Sequence, residues 1–250
     1  MKAILNLVPR PWLIKLSLWF RPIIRLYFKG SRFTDPIDGS SYRKFLPYGY
    51  QNIRLNALCP GTLSLERHRL LWLYLQFKTN FLTDSLKVLH IAPEQVFYKK
   101  FKSFTNWDYT TTDLYSPLAD IKADICALPF EDETYDLILC NHVLEHIPDD
   151  RKAMRELYRI LKKRGTLIAQ VPLEEGRLKS FEDYSITDKK KRTEIFGQYD
   201  HVRLYGMDYY QRLESIGFQT EAVDFLKELS EEEIIRYALP KKEDIPVARK

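Results

Sequence analysis

Residues 128–148 read LPFEDETYDLILCNHVLEHIP, and this stretch decides the fold. Its middle part, Tyr135–Cys140, is an apolar run in which Asp136 is the one charged residue. A short apolar run that follows an acidic, turn-forming segment is typical of a strand that is buried on both faces of a parallel sheet. The stretch therefore predicts a central β-strand at Tyr135–Cys140, followed directly by polar residues.

Strand and helix patterns alternate on both sides of this strand. Short apolar runs predict strands, and apolar residues at helical spacing predict helices. The other predicted strands are Lys87–Ala92, Tyr109–Thr112, Thr166–Val171 and a terminal pair at Phe218–Phe225 and Ile245–Arg249. The predicted helices are Glu94–Phe104, Asp149–Lys163 and Asp208–Ile216. This alternation predicts an α/β fold with a doubly wound, mostly parallel sheet.

The chain divides into three predicted parts. They are a basic amphipathic arm at residues 1–32, an irregular segment plus a helix at residues 33–84, and the α/β domain at residues 85–250. The helix is expected at Leu63–Leu82, with Thr62 or Ser64 as its N-cap. Residues 172–205 are polar and irregular, which predicts a lid or insertion within the domain.

The positive charge of the chain is concentrated in the arm. The 250 residues have a net charge of +5, but residues 1–32 carry seven basic side chains and no acidic one, which leaves −2 for the other 218. The body is therefore close to neutral, and we expect it to bind no nucleic acid. Three cysteines without paired spacing predict a reduced, cytoplasmic protein.

The arm has the side-chain pattern of an amphipathic helix. Its basic residues at positions 10, 15, 21, 25 and 29 fall within an arc of roughly 140°, and aromatic and aliphatic side chains fill the opposite side. Two interpretations stay open: a helix in a membrane interface, or a helix packed on the domain with a bend at Pro22. The first predicts peripheral contact of residues 1–32 with the inner face of the membrane. No segment has the length and apolarity of a transmembrane helix.

Carboxylates and a histidine follow the predicted strands where a ligand would bind. In a parallel α/β sheet, ligands bind beyond the carboxyl ends of the strands. The segment His90–Glu94 follows the first strand, Asp113 closes the second, and Asp124-Ile125 comes next. Asp113 lies about 20 residues beyond the first loop, a spacing at which a carboxylate can bind both hydroxyls of a ribose. These residues therefore predict a nucleoside-containing ligand.

The stretch at residues 128–148 resembles a characteristic segment of the type 11 family of class I S-adenosylmethionine (SAM)-dependent methyltransferases. With MRELYRILK at Met154–Lys162 and GTL at Gly165–Leu167, the similarity covers about residues 86–171. The resemblance implies a Rossmann-like sheet of seven strands with one reversed strand, and transfer of a methyl group from SAM. It also implies cofactor contacts from His90, Ile91, Ala92, Pro93, Glu94, Asp113, Leu114, Asp124, Ile125, Asn141, His142 and Val143.

The first loop departs from the pattern of most relatives, which have an acidic residue and several glycines there. The segment His90–Glu94 contains no glycine, and Pro93 has no amide hydrogen to donate. This composition excludes a dinucleotide fingerprint and a P-loop, because both need glycines. It resembles a methyltransferase subgroup with an Ala-Pro-Glu loop. Glu94 then either meets the ammonium group of the ligand or is a helix-start carboxylate that the helix dipole favours.

The N-terminal segment is similar to a metal-binding region of the same subgroup, in degenerate form. Those relatives often carry two Cys-x-x-Cys pairs, but this chain reads DPID at Asp35–Asp38 and CPGT at Cys59–Thr62. One of four thiols remains, and a structural zinc ion needs four good nitrogen or sulfur ligands. We therefore predict no metal.

Methyl transfer needs an aligned acceptor and, for a hydroxyl or amine acceptor, a base that removes a proton. His142 and His201 are the candidate bases, and His146 is either a third base or a residue that packs at a helix start. Arg203 and Tyr205 are the candidate acceptor contacts, because they lie in the predicted insertion. The acceptor is expected to be a small molecule or a lipid-linked compound.

Other interpretations are kept beside the leading one. The glycine-free loop and the lost thiols also fit a catalytically inactive SAM-binding or scaffold protein on the same fold. An oxidoreductase on this fold is disfavoured because the glycine fingerprint is missing. Residues Arg67–Arg69 either reach an acidic substrate or form a solvated helix face, and the solvated face is our prediction.

Overall fold

The structure is a computed structural model that describes residues 22–49, 52–174 and 176–250. The chain forms two compact units. The first contains the chain up to Tyr74 together with Leu226–Lys242, and the second contains Leu75–Phe225 together with Glu243–Lys250. The segment Leu226–Lys242 of the predicted domain 85–250 thus belongs to the first unit. The bounds of the three predicted parts stay a prediction.

The first unit contains four short strands. They are β1 (Lys29–Thr34), β2 (Ser41–Tyr42), β3 (Leu46–Tyr48) and β4 (Arg54–Leu58). β1 pairs with β2 and β3 pairs with β4, both antiparallel. A small core of Phe33, Tyr42, Phe45 and Cys59 is buried in this unit. The sequence predicted an irregular segment at residues 33–61, but the segment contains these short strands. The prediction missed them because the strands are too short to show a period of two.

The helix that follows, α1 (Glu66–Lys78), begins later than predicted. Its N-cap position is Leu65, not Thr62 or Ser64, and the amide of Leu65 donates to Nδ1 of His68 at 3.0 Å. The hydroxyl groups of Thr62 and Ser64 donate instead to the buried carboxylate of Asp35. The capping prediction was wrong because this carboxylate, 27 and 29 residues away, competes for both hydroxyls.

Arg69 on α1 is fully buried, so the predicted solvated face at Arg67–Arg69 is wrong. Its guanidinium lies 4.9 Å from the centre of the Phe45 ring. It donates at 2.6–3.1 Å to four carbonyl oxygens, those of Ala57, Ser64, Tyr237 and Ala238. These bonds tie the segment 226–242, which includes the helix α6 (Glu231–Arg236), into the first unit.

Part of the predicted arm is described. Residues 22–28 are helical, and Arg25 forms an ion pair with Asp38. Because β1 begins at Lys29, this helix ends at Phe28, within the predicted arm. Residues 1–21 lie outside the described residues, so the rest of the arm stays a prediction. Every helix in the described ranges is too short or too polar to span a membrane.

The second unit contains the predicted parallel sheet. Its strands are β5 (Leu86–Ile91), β6 (Trp107–Asp113), β7 (Ile121–Lys122), β8 (Tyr135–Cys140), β9 (Leu161–Ile168), β12 (Gln219–Val223) and β13 (Ile245–Arg249). Their order is β12-β13-β9-β8-β5-β6-β7, and β13 runs antiparallel to both of its neighbours. The α/β class, the seven strands and the reversed strand are confirmed. Within the predicted insertion, β10 (Phe181–Glu182) and β11 (Arg203–Leu204) form a small antiparallel pair.

Helices connect these strands. They are α2 (Gln95–Phe101), α3 (Asp150–Ile160), α4 (Lys189–Phe196) and α5 (Asp208–Glu214). Asp149 caps α3 by accepting a backbone amide at 2.9 Å, and Met154, Leu157 and Ile160 pack into the core of the sheet. The prediction that α3 continues to Lys163 was wrong, because β9 starts at the next residue after Ile160.

Candidate active site

The carboxyl ends of β5 and β8 form the edge where the sequence predicted a ligand. The two strands are parallel neighbours, with Ile91 opposite Cys140. From β5 the sheet extends outward through β6 and β7, and the chain then returns to the other side of β5 with β8. The gap between β5 and β8 is therefore the topological switch point, where open α/β sheets bind their ligands. We call the two strand-end segments, residues 90–94 and 141–145, the switch crevice.

Ala92 adopts the left-handed backbone conformation in the glycine-free loop. Its φ is +47°, and its amide donates to the carbonyl of Thr112 at 2.8 Å. Glycine adopts this conformation without steric cost, whereas a residue with a Cβ atom pays about 1–2 kcal/mol. The loop thus adopts a backbone conformation that glycine would adopt without strain. The hydrogen bond from Ala92 to Thr112 helps to keep Ala92 in it.

His142 adopts the same conformation at the facing strand end. Its φ is +54°, and its amide donates to the carbonyl of Gln170 at 2.7 Å. Strained residues of this kind cluster at active sites and ligand-binding loops. Two of them, Ala92 and His142, lie at the ends of neighbouring strands, which favours a functional role for the switch crevice.

The strain at Ala92 leads to a prediction for stability. Ala92→Val is expected to lower the free energy of unfolding by about 2 kcal/mol, because a β-branched side chain is poorly tolerated in the left-handed region. Ala92→Gly relieves the strain but gains entropy in the unfolded chain, so it should change stability by less than about 1 kcal/mol. Urea unfolding of both variants measures the difference. Equal stability of the valine and glycine variants would contradict the strained conformation.

His90 and Glu94 are bonded to each other across the first loop. Nε2 of the fully buried His90 lies 2.6 Å from Oε2 of Glu94, and its Nδ1 lies 2.8 Å from the hydroxyl of Tyr109. Burial raises the pKa of Tyr109, so this hydroxyl donates to Nδ1, and Nε2–H donates to the carboxylate. Glu94 occupies the N-cap position of α2 without a side-chain cap. The carboxylate therefore has an internal partner, which neither interpretation from the sequence included.

The other predicted cofactor contacts differ in exposure. Oδ1 of Asp113 accepts the amides of the second and third following residues, both at 2.6 Å. Oδ1 of Asp124 accepts the amide two residues later at 2.8 Å. Leu114 is exposed, whereas the side chains of Ile91 and Ile125 are part of the core. Those two residues can therefore reach a ligand only through their backbone.

Buried polar atoms gather at the ends of β8 and β9. Asn141 and Gln170 are 3% and 2% exposed. Within the described residues, Nδ2 of Asn141, both side-chain polar atoms of Gln170 and Oε2 of Glu145 have no hydrogen-bond partner. Leaving a buried polar group unbonded costs roughly 1–3 kcal/mol. These atoms make this edge of the sheet a candidate site for a polar ligand.

Three histidines surround the buried carboxylate of Glu145. Its Oε1 lies 3.2 Å from Nδ1 of His142, and the rings of His146 and His201 are 4.8 Å apart. Burial alone would raise the pKa of Glu145, but the hydrogen bond to His142 and the charges of His142 and His146 outweigh it and lower that pKa. Burial lowers the pKa of His201, whose Nδ1–H donates to the carbonyl of Phe196 at 3.0 Å. The structure thus brings both candidate bases together around one carboxylate.

Arg203 and Tyr205 lie inside the second unit, with 1% and 0% of their surface exposed. The hydroxyl of Tyr205 donates to the carboxylate of Asp150 at 2.7 Å. The guanidinium of Arg203 donates at 2.5–2.8 Å to three carbonyl oxygens, those of Leu144, Ile147 and Pro148. These bonds anchor the predicted insertion to the segment that follows β8. The polar atoms of both side chains are already bonded within the unit, which argues against the predicted contact with the acceptor.

Glu182 on β10 also bonds Arg203, and we call the bonds of Arg203, Tyr205 and Glu182 the anchor of the insertion. Its Oε2 accepts hydrogen bonds from Nε of Arg203 at 3.0 Å and from the hydroxyl of Tyr184 at 2.9 Å. Burial alone would raise the pKa of Glu182, but these hydrogen bonds and the charges of Arg203 and Arg212 outweigh it, so the pKa falls below its usual value of 4.5. Because the folded-state pKa lies below the unfolded one, the stabilisation is complete above about pH 4.5 and is lost as the pH falls through the folded-state pKa.

This linkage gives a prediction for Glu182→Gln. At pH 7 the variant should be less stable than the parent chain by about 1–2 kcal/mol, because a hydrogen bond to a charged group is lost. The difference should shrink as the pH falls below 4.5. Urea unfolding at a series of pH values measures it, with Glu194→Gln on the exposed face of α4 as the control for a lost charge. A difference that stays constant from pH 7 to pH 3.5 would contradict the assigned pKa shift.

A hydrogen-bonded network occupies the positions of the degenerate thiol pairs. Asp35 is fully buried and accepts the hydroxyls of Thr62 and Ser64 and, at 2.9 Å, the amide of Ile37. Burial raises the pKa of the Cys59 thiol to about 12. A protonated thiol is a poor metal ligand, so these positions do not fit a structural zinc ion.

Comparisons with known proteins identify the unit that carries the switch crevice. A model of the type 11 methyltransferase family, described as "Methyltransferase domain", matches residues 85–169, which span β5 to β9. Residues 85–169 form a methyltransferase domain of this family. The predicted family is thereby confirmed, and the subgroup with the Ala-Pro-Glu loop stays a prediction.

Curated relatives match parts of this chain. The uncharacterized protein MJ0638 of Methanocaldococcus jannaschii is 45% identical over 71 residues, which are 28% of this chain and 31% of the relative. The ubiquinone/menaquinone biosynthesis C-methyltransferase UbiE of Enterobacter sp. (strain 638) is 37% identical over 68 residues, which are 26% of this chain and 27% of the relative. The chain therefore matches less than a third of the length of either relative.

Among solved structures, the cyclase SpnF resembles this chain over 94% of its residues and 95% of the cyclase, with a TM-score of 0.50 and 14% identity. At this identity the likeness is one of fold alone. Because the same fold occurs in a protein named for a cyclisation, the activity of the methyltransferase domain has to be argued from its site.

Sequence reasoning missed three residues of the candidate site, namely Tyr109, Gln170 and Glu145. Tyr109 gives no signal, because an aromatic residue is ordinary in a strand. Gln170 is a polar residue in the predicted strand Thr166–Val171, close to its carboxyl end, and this position could have revealed it. Glu145 stands in the segment that carries the family resemblance, but its burial depends on contacts with residues 196–202, which no local pattern shows.

Proposed function

We propose that this chain is a SAM-dependent methyltransferase that binds its cofactor in the switch crevice. The observation that carries the proposal is the buried Nδ2 of Asn141 together with both side-chain polar atoms of Gln170, which have no partner within the described part of the chain. They lie beside two strained strand ends in a methyltransferase domain. An adenosyl ligand with hydroxyl, amino and carboxylate groups can bond such atoms.

The proposed cofactor contacts come from three strand ends. Asp113 binds the ribose hydroxyls, the backbone at Ala92 lies against the methionine part, and the amide groups of Asn141 and Gln170 bond the polar atoms of the ligand. SAM supplies an electrophilic methyl group when it is bound. The chain contributes alignment of the acceptor with that group and removal of a proton from a hydroxyl or amine.

His142 is the better placed of the two candidate bases. It lies in the switch crevice with 24% of its side chain exposed, and its Nδ1 is held by the buried carboxylate of Glu145. A carboxylate that orients a histidine is the usual arrangement for a base in catalysis. His201 is 9% exposed and uses its Nδ1 on the carbonyl of Phe196, so it is less open to an acceptor.

Calorimetric titration of the full chain with SAM and with S-adenosylhomocysteine tests the cofactor part of the proposal. Binding of both compounds in the micromolar range is the expected result. Transfer of a labelled methyl group from SAM to the small-molecule or lipid fraction of a cell extract then tests catalysis. Absence of SAM binding, or SAM binding with no transfer to either fraction, would overturn the proposed activity.

The acceptor is proposed to be a small molecule or a lipid-linked compound that the chain meets at a membrane surface. The helical residues 22–28 support this, because Ile23, Leu26 and Tyr27 are 64%, 74% and 66% exposed. Exposed aliphatic and aromatic side chains among basic residues suit an interfacial helix. The near-neutral charge of the body makes nucleic acid an unsuitable partner.

Pelleting with anionic liposomes tests the membrane contact. Leu26→Glu is expected to reduce the bound fraction several-fold, because it places a negative charge on the apolar face. Leu55→Glu is the matched control, since Leu55 is an equally exposed leucine on β4, at 77%. Equal pelleting of the two variants and the parent chain would refute the interfacial role of this segment.

The alternative is a SAM-binding or scaffold protein without catalytic activity. Two features favour it: the first loop lacks glycine, and the carboxylate of Glu94 is bonded to His90. Weak SAM binding that does not respond to substitution of Asp113 would support this alternative.

A further inference from the structure

Glu145, His146 and His201 form a compact group of side chains in the second unit. Each offers one ligand atom, and the three atoms lie within 4.8 Å of one another. Glu145 and His146 belong to the short helical turn Leu144–His146 after β8, and His201 follows α4. Side chains from two separate segments thus converge on one point.

A backbone bond and the side chain of Arg203 hold these two segments together. The amide of Val202 donates to the carbonyl of Glu145 at 3.0 Å, and Arg203 donates to the carbonyls of Leu144 and Ile147 at 2.8 and 2.5 Å. The group is therefore positioned by bonds that do not involve the three side chains themselves. Such a prearranged set of ligands lowers the cost of binding an ion.

The orientation of each histidine suits a metal ligand. Nδ1–H of His201 donates to the carbonyl of Phe196 at 3.0 Å, which leaves Nε2 with its lone pair. Nδ1 of His146 lies 3.3 Å from the carbonyl of Asp200 and 3.7 Å from its carboxylate. Histidines that bind metals commonly use one ring nitrogen on a carbonyl or carboxylate, which fixes the ring and leaves the other nitrogen for the metal.

The carboxylate of Glu145 is buried and only partly bonded. The side chain is 1% exposed, and its Oε2 has no hydrogen-bond partner within the described residues. A buried carboxylate oxygen needs a bonded donor or a cation. The cluster of His146 and His201 is placed to hold such a cation beside it.

We propose that Glu145, His146 and His201 bind a divalent transition-metal ion of the zinc type. Two imidazole nitrogens and one carboxylate are the ligand set of open zinc sites, in which a fourth position takes water or a substrate atom. Mg²⁺ is disfavoured, because it takes oxygen ligands. The site contains none of the degenerate thiol positions. A metal ion bound there would contradict the prediction from the sequence that the chain binds no metal.

The assignment makes His201 a metal ligand rather than a base and leaves His142, which contacts Glu145 at 3.2 Å, as the candidate base. It does not rest on the proposed methyl transfer, because metal binding is measured without SAM. A chain that binds zinc but no SAM would uphold this site and overturn the proposed function. The opposite result would overturn the site alone.

Equilibrium dialysis of the full chain against Zn²⁺ and Mg²⁺ tests the proposal. A Cys126→Ser background removes the one partly exposed thiol among the three cysteines, which could bind zinc by itself. One Zn²⁺ per chain and no Mg²⁺ are expected. Glu145→Gln and His146→Ala should each lower the affinity for Zn²⁺ by at least about 100-fold.

Matched variants separate loss of a ligand from loss of structure. Glu194→Gln makes the same change at an exposed position of α4 and should leave zinc affinity unchanged. His146 has 28% of its side chain exposed, so its alanine variant should keep the far-ultraviolet circular dichroism of the parent. No zinc binding by the parent chain, binding that survives Glu145→Gln and His146→Ala in folded protein, or stoichiometric Mg²⁺ binding would each overturn the site.

Discussion

Replacing Asp113 with alanine is expected to weaken the binding of SAM by about 100-fold or more. The carboxylate ends β6 beside the switch crevice, and its Oδ1 already accepts two amides of the following turn at 2.6 Å, which fixes its orientation. A hydrogen bond to a charged group contributes about 1.5–3 kcal/mol. Loss of two ribose contacts therefore corresponds to about 3 kcal/mol or more, at about 1.4 kcal/mol for each factor of ten in affinity. Calorimetric titration with SAM measures the effect.

Two control variants isolate the ribose contact. Asp108→Ala removes a carboxylate from the opposite end of the same strand, where the side chain is 71% exposed and 4.0 Å from Nζ of Lys87, so SAM affinity should not change. Asp113→Asn keeps an oxygen for the turn but loses the charge, and intermediate affinity is expected. If Asp113→Ala binds SAM as the parent chain does, the ribose assignment is wrong and the scaffold alternative gains support.

The central sheet could be predicted because its strands are buried on both faces. Such a strand needs apolar residues at nearly every position, which gives a strong signal. Tyr135–Cys140 was predicted and found with the same bounds, and β5 differs from its prediction by one residue at each end. The number of strands and the reversed strand came from the family resemblance, and the order of the strands came from the structure.

The first unit could not be predicted in the same way. β2 has two residues and β3 has three, which is too short for an alternating pattern to appear. The burial of Arg69 depends on carbonyl oxygens that include those of residues 237 and 238, far along the chain. A local pattern of charges predicts a solvated face, and only tertiary contacts reverse that prediction.

The place of the candidate site was predictable, but its internal bonds were not. Topology alone puts the ends of β5, β6 and β8 at one edge. The left-handed conformation of Ala92 and the bond between His90 and Glu94 follow from packing: His90 is fixed by Tyr109 on the neighbouring strand. The sequence assigned Arg203 to the acceptor because it lies in the insertion, whereas its burial makes it an anchor.

The largest effect on stability is expected from Arg203→Ala. The side chain is 1% exposed, and its donors bond three carbonyl oxygens after β8 and the carboxylate of Glu182. Its removal leaves the three carbonyl oxygens without this donor, and it leaves Arg212 as the remaining cation beside the buried carboxylate of Asp150. Breaking a buried ion pair by removing one partner costs about 3–5 kcal/mol. Urea unfolding followed by circular dichroism should show a loss of this size.

Arg249→Ala is the matched control, because its ion pair with Glu221 is half exposed and should contribute less than about 1 kcal/mol. Arg203→Lys keeps the charge but not the planar fork of donors, so it should lose about half as much as the alanine variant. If the lysine and alanine variants are equally unstable, geometry outweighs charge in this anchor. If Arg203→Ala is as stable as Arg249→Ala, the anchor does not hold the insertion. The side chain of Arg203 would then not be what fixes residues 144–148 to residues 201–203. The bond from the amide of Val202 to the carbonyl of Glu145 would have to position Glu145 and His201.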